Sequence, residues 1–210
     1  MPKNYTLGEE IANSITHGVG TLLSIAGLII LVSLAVMHGD VWRIVSFSLY
    51  GSTLILLYLN STLYHAITHK KAKHVFRILD HASIFLLIAG TYIPVLLVTI
   101  RGPWGWTLFG MISALAIIGI VMKAVCINRF EHLSVVIYIL MGWFCMMGMH
   151  QIIKKLEFGG IVLLAAGGII YTLGVVFYAW KRLPYNHMVW HIFVLAGSIC
   201  HYFAFLFYVL

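Results

Sequence analysis

Of the 210 residues, 62% are hydrophobic and only 9% are charged, against about 25% charged in a soluble domain. That balance excludes a soluble globular protein and leaves a polytopic membrane domain built from helices of about 20 apolar residues each. A net charge of +7 does not signal nucleic acid, because the basic residues sit in short loops between apolar runs, where topology signals lie. No nucleic-acid partner is expected.

The chain opens on a polar lead-in, Met1 to Glu10, that carries Glu9 and Glu10 in place of a basic leader. The apolar run after it ends on no small-residue cleavage site and reads as a retained helix. Seven apolar runs follow one another, at about Ile15–Met37, Trp42–Ala66, Asp80–Ile100, Trp104–Cys126, Leu133–Gln151, Gly159–Trp180 and Asn186–Leu210. They are continuous, not the alternating ten-residue segments of a membrane barrel. The expected fold is therefore all-α: a single seven-transmembrane-helix domain over residues 1–210, with short connections that make sequential helices antiparallel neighbours.

Lysine and arginine orient the bundle. With the N-terminus inside, the inner segments hold Lys3, Lys70, Lys71, Lys73, Arg77, Lys123, Arg129, Lys181 and Arg182, nine against the four of Arg43, Arg101, Lys154 and Lys155 outside. The expectation is N-terminus cytoplasmic, C-terminus extracellular. Pro94 is expected to bend the third helix, having no N–H to donate. Gly167, Gly168 and Gly174 permit close helix approach in the sixth. Trp42, Trp104, Trp106, Trp180 and Tyr185 fall near predicted boundaries, as aromatic belts do. Cys126, Cys145 and Cys200 stand singly in apolar runs, form no CxxC pair, and read as small packing residues.

Ionisable groups inside apolar segments are expensive and mark function. His187 and His191 lie four apart, hence on one helical face, a spacing that offers two nitrogens to one metal. The spacing alone is weak, since His65 and His69 repeat it. His201 follows roughly 15 Å further along the axis, at about 1.5 Å per residue. What strengthens the case is convergence. With the N-terminus inside, Glu10, Asn13 and His17 lead into the first helix, Ser61 and His65 close the second, Asp80 and His81 open the third, and His187 and His191 open the seventh, all at one depth. Glu10 and Asn13 serve equally well as capping groups on this reading.

Three neutral imidazoles, His65, His187 and His191, make a tripod for zinc with a fourth position open. Zinc lowers the pKa of a bound water from 15.7 to about 7. Asp80 is then the general base and Ser61, one turn before His65, orients the water or a substrate oxygen. His69 and His74 read as solvated loop residues; His38, His132 and His150 lie near other helix ends. His201 is left out of the ligand set.

These motifs resemble the hemolysin III family, the bacterial branch of the progestin and adiponectin receptor superfamily. Glu10-x2-Asn13-x3-His17 is similar to its opening motif, Ser61-x3-His65 followed by Asp80 to its second, Gly90-Thr-Tyr-Ile-Pro94 to its glycine–proline signature, and His187-x3-His191 with His201 to its last. The resemblance covers the whole chain. It implies seven helices with a cytoplasmic N-terminus, opposite to G-protein-coupled receptors. It implies zinc on His65, His187 and His191, with Ser61 and Asp80 near the water and Glu10, Asn13, His17 and His201 around them. The superfamily is grouped with ceramidase-like hydrolases, so hydrolysis of a membrane lipid amide or ester is the implied activity, in a bacterial plasma membrane. A non-catalytic sensor with structural zinc and a cytolysin are the alternatives. The helices look too apolar along their length for a pore.

Overall fold

The computed structural model describes residues 5–127, 129 and 131–210, Glu131 by its backbone alone. Among these described residues eight α-helices follow one another: α1 (Leu7–His38), α2 (Val41–Ala66), α3 (Lys70–Pro94), α4 (Pro103–Cys126), α5 (Glu131–Gly142), α6 (Met149–Lys155), α7 (Phe158–Ala179) and α8 (Asn186–Tyr208). A π turn, Val95–Thr99, prolongs α3, and a 3₁₀ stretch, Trp143–Gly148, joins α5 to α6. Among the described residues, seven helical stretches are long and apolar enough to cross a membrane. The fold is thus an all-helical, seven-span bundle.

Two helices begin well before their apolar runs. α1 starts at Leu7, not near Ile15, because Thr6 and Glu9 form a capping box: the Thr6 hydroxyl accepts from the Glu9 N–H at 3.2 Å, and Glu9 Oε2 accepts from the Thr6 N–H at 2.8 Å. Glu10 and Asn13 are therefore released from capping. α3 starts at Lys70, ten residues before Asp80, with the His69 ring as its cap. Its first turns are charged and amphipathic, so an apolar-run reading starts the helix too late. Lys73 in this segment donates to Tyr64 O at 2.9 Å and Ile67 O at 3.3 Å, satisfying carbonyls that the end of α2 leaves open.

Two breaks inside spans have identifiable causes. Pro94 cannot donate to the preceding turn, and the helix widens into the π turn directly after it, where Ile100 N–H donates to Val95 O. The fifth span tightens at Trp143, across from Tyr92. The Tyr92 hydroxyl donates toward Met141 O (2.9 Å) and Gly142 O (2.7 Å), and accepts from Cys145 N–H (3.0 Å). One phenol thus satisfies backbone groups that lipid would leave unpaired.

α2 packs between α1 and α3, α7 against α8, and α1 returns to meet α8. The α7–α8 contact is close because a Cβ at Gly167 would lie 2.5 Å from the His201 ring, and one at Gly174 would lie 2.7 Å from Phe193 Cβ. Gly168 faces open space and lines the internal cavity instead. α5 and its 3₁₀ extension pack thinly on their neighbours. Between them and α3, α7 and α8 runs an apolar cavity of about 230 Å³.

Candidate metal centre

The first turns of α8 meet the last turn of α2 and the first half of α1. Asn186 holds the start of α8 in place, its carboxamide donating to Phe177 O and Tyr178 O at 3.2 Å each. Tyr185 just before it adopts a left-handed conformation (φ 54°), which turns the chain from α7 into α8. This conformation is uncommon for a residue with a Cβ.

His65, His187 and His191 come together there. One ring nitrogen of each lies within 4.8 Å of the others, and all three residues are buried. Ring centroids are 4.5 Å apart for His187 and His191, 5.1 Å for His65 and His187, and 5.3 Å for His65 and His191. Nitrogens sharing a tetrahedral ion at about 2.1 Å stand about 3.4 Å apart, so small side-chain rotations suffice.

Hydrogen bonding fixes which nitrogens are available. His65 Nδ1 donates to Glu10 Oε2 at 2.6 Å, and the Asn13 carboxamide lies 3.4 Å from the same nitrogen. Lys73 Nζ holds the other Glu10 oxygen at 3.0 Å, making a Lys73–Glu10–His65 chain across α3, α1 and α2. His191 Nδ1 donates to Asn13 O at 3.2 Å. With Nδ1 carrying the proton in both rings, each Nε2 keeps its lone pair. His65 Nε2 is buried without a hydrogen-bond partner, as are both nitrogens of His187. An imidazole backed by a carboxylate or carbonyl, its far nitrogen bare, is the arrangement of a metal ligand. The donor set fits a divalent metal such as zinc.

Around the trio, His17 stacks flat on His191 with centroids 3.5 Å apart and edges onto Tyr58. Ser61, one turn before His65, has a buried hydroxyl with no hydrogen-bond partner. Asp80 lines the apolar cavity together with His17, His187 and His191, so cavity and trio are contiguous. His201 also lines the cavity but stays apart from the trio, with Nε2 donating to Leu164 O at 3.1 Å.

Sequence reasoning missed three residues. Tyr5 sits in the segment before α1 and covers the trio, its ring 5.1 Å from His187 and 5.7 Å from His65; burial pushes its phenol upward, so it stays un-ionised. Lys73 looked like one more loop charge. Lys123 counted only as a topology signal, yet it is 1% exposed and lines the cavity. Its place in the last turn of an otherwise apolar helix was the available signal.

The family model for haemolysin-III-related proteins matches residues 5–202. The chain belongs to this family. It is 51% identical over 202 residues to Hemolysin-3 of Bacillus cereus, covering 96% of this chain and 92% of the relative. It is 47% identical over 204 residues to the Hemolysin-3 homolog of Bacillus subtilis, covering 97% and 96%. The Monocyte to macrophage differentiation factor of Homo sapiens is 29% identical over 205 residues, covering 95% and 84%, in keeping with the superfamily placement that the motifs suggest. No solved structure matches. In this haemolysin-III-related protein three of the four motifs meet in one region of the bundle: Glu10, Asn13 and His17 from α1 surround the trio of His65 from α2 and His187 and His191 from α8, with Asp80 of α3 on the adjoining cavity wall.

Proposed function

We propose that this haemolysin-III-related protein is a zinc-dependent hydrolase of a membrane lipid amide or ester, acting in the bacterial plasma membrane with its N-terminus cytoplasmic. The observation that carries the reading is the buried cluster of His65, His187 and His191, with unpartnered ring nitrogens on His65 and His187, beside an apolar cavity. His65, His187 and His191 would hold the ion. When bound, zinc supplies a water of lowered pKa and polarises the scissile carbonyl.

The chain's own groups do the rest. Glu10 and Asn13 O fix the tautomers of His65 and His191. Asp80 accepts the proton of the attacking water and returns it to the leaving nitrogen or oxygen. The bare Ser61 hydroxyl orients that water. Apolar side chains of α3, α5 and α7 take up the acyl chain, and Tyr5 closes the site against bulk solvent, which strengthens the electrostatics within.

The name of the Bacillus cereus relative raises a cytolytic reading. A pore calls for a polar stripe along several helices, whereas the internal cavity is lined mainly by apolar side chains.

The test is release of free fatty acid from a panel of ceramides and related lipid amides by zinc-loaded protein in nanodiscs. Asp80→Asn keeps the shape and hydrogen-bonding capacity of the side chain but cannot take a proton. Its rate should fall 10²–10⁴-fold, roughly 3–5 kcal/mol of barrier, at unchanged zinc content. Equal hydrolysis by both proteins removes Asp80 as the base, and no hydrolysis of any lipid turns the reading toward a sensor with structural zinc.

A further inference from the structure

Among the described residues two approaches lead to the trio, and they differ in polarity. One runs through the cavity, whose walls are mainly apolar side chains. A divalent ion that gives up its hydration shell there meets a large desolvation cost, so this approach suits a lipid and not a metal. The other runs past the start of α1, where charged groups reach solvent. The side chains of Lys73 and Glu10, 29% and 19% exposed, stand 3.0 Å apart at this mouth. Tyr5 lies over the rings behind them, its centroid 5.1 Å from His187 and 5.7 Å from His65.

The hold on Tyr5 is local. It precedes the first turn of α1, and its neighbour Thr6 is tied into the helix by the capping box. The Thr6 N–H donates to Glu9 Oε2 at 2.8 Å, and the Thr6 hydroxyl accepts from the Glu9 N–H at 3.2 Å. Glu9 is buried, which anchors the box on the bundle. The same turn abuts the start of α8, since a Cβ at Gly8 would lie 2.8 Å from the Tyr185 hydroxyl. Helix ends open far more readily than the middle of a packed span. Release of the box therefore moves the Tyr5 ring, while Asn13 and His17, about two and three turns further along α1, stay in place.

We propose that Tyr5 is a gate for the metal: the capping box keeps its ring over His65 and His187, and zinc exchanges with the aqueous phase at the N-terminal end of α1 when this first turn opens. The proposal rests on the metal reading above and is independent of hydrolysis. A gate alters uptake and release by the same factor and leaves the affinity alone, because it acts on the path and not on the bound state. A residue that supports the bound ion alters the affinity, chiefly through release.

The full chain in phosphatidylcholine nanodiscs provides both rates. Release is read by mixing zinc-loaded protein with an excess of a chromogenic zinc chelator, and uptake by adding zinc to stripped protein and quenching with the chelator at intervals. Tyr5→Ala should release zinc about tenfold faster and take it up faster by the same factor, as when a local opening step is removed. Tyr5→Phe keeps the ring and should stay slow. Thr6→Val leaves Tyr5 in the chain but breaks the box, and both of its rates should rise about fivefold, the weight of one N-cap. Unchanged release from Tyr5→Ala, faster release without faster uptake, or a Tyr5→Phe variant that exchanges as fast as Tyr5→Ala each overturns the gate and leaves the metal centre standing. An unaltered protein that binds no zinc overturns the metal reading and the gate with it.

Discussion

At the scale of single residues, the histidine trio was legible because helical spacing and motif order both pointed at it. His187 and His191 share a face by geometry, and His65 joins them because α2 ends where α8 begins. Their supporting residues were less legible. Glu10 and Asn13 read equally well as caps until the Thr6–Glu9 box took that duty. Lys73 and Tyr5 act through contacts that no spacing rule contains. The Lys73–Glu10–His65 chain carries a prediction. Glu10→Gln removes the charge that orients His65 and retains the size of the side chain. Zinc affinity should fall 10–100-fold, the usual effect of losing a partner behind a histidine ligand. Competition with a calibrated chelator measures it, and an unchanged affinity would show that Glu10 serves helix packing alone. His201→Ala, by contrast, should retain its zinc, since His201 is bonded to Leu164 O and stands outside the trio.

At the scale of elements, seven spans follow from apolar run length, and their ends follow from chemistry that run length does not see. α3 illustrates this: its charged first turns put Asp80 well inside the helix, not at its start. A disturbance of the helix at Pro94 was legible because proline has no N–H, whereas the 3₁₀ stretch in the fifth span was not. Its cause is the Tyr92 hydroxyl, 49 residues from Met141 in sequence. Tyr92→Phe keeps the ring but strips hydrogen bonds from Met141 O, Gly142 O and Cys145 N–H. Each buried backbone group left unpaired costs about 1–3 kcal/mol, so the variant should melt several degrees lower. Amide exchange at Cys145 should also quicken. Unchanged melting and exchange would mean that the tightened turn is stable without the phenol.

At the scale of the whole molecule, the proposed orientation, with the nine-to-four excess of Lys and Arg inside, puts the histidine trio on the cytoplasmic side. In a background lacking Cys126, Cys145 and Cys200, a cysteine at position 71 should resist an impermeant thiol reagent applied to intact cells, and one at position 101 should react. The opposite pattern would put the trio at the outer face and remove the cytoplasmic assignment. The cavity, unlike the spans, was invisible in the sequence. It exists because α5 packs thinly, a property of the assembled bundle and not of any one run.

The account stands on the metal centre, and elemental analysis of the purified protein tests it most directly. Zinc should be found at close to one ion per chain in the unaltered protein. His187→Ala and His191→Ala should lose it and melt earlier, because a bound metal stabilises the folded state by linkage. A folded, unaltered protein that takes up no zinc when it is supplied, or full zinc in His187→Ala, would contradict the tripod of His65, His187 and His191.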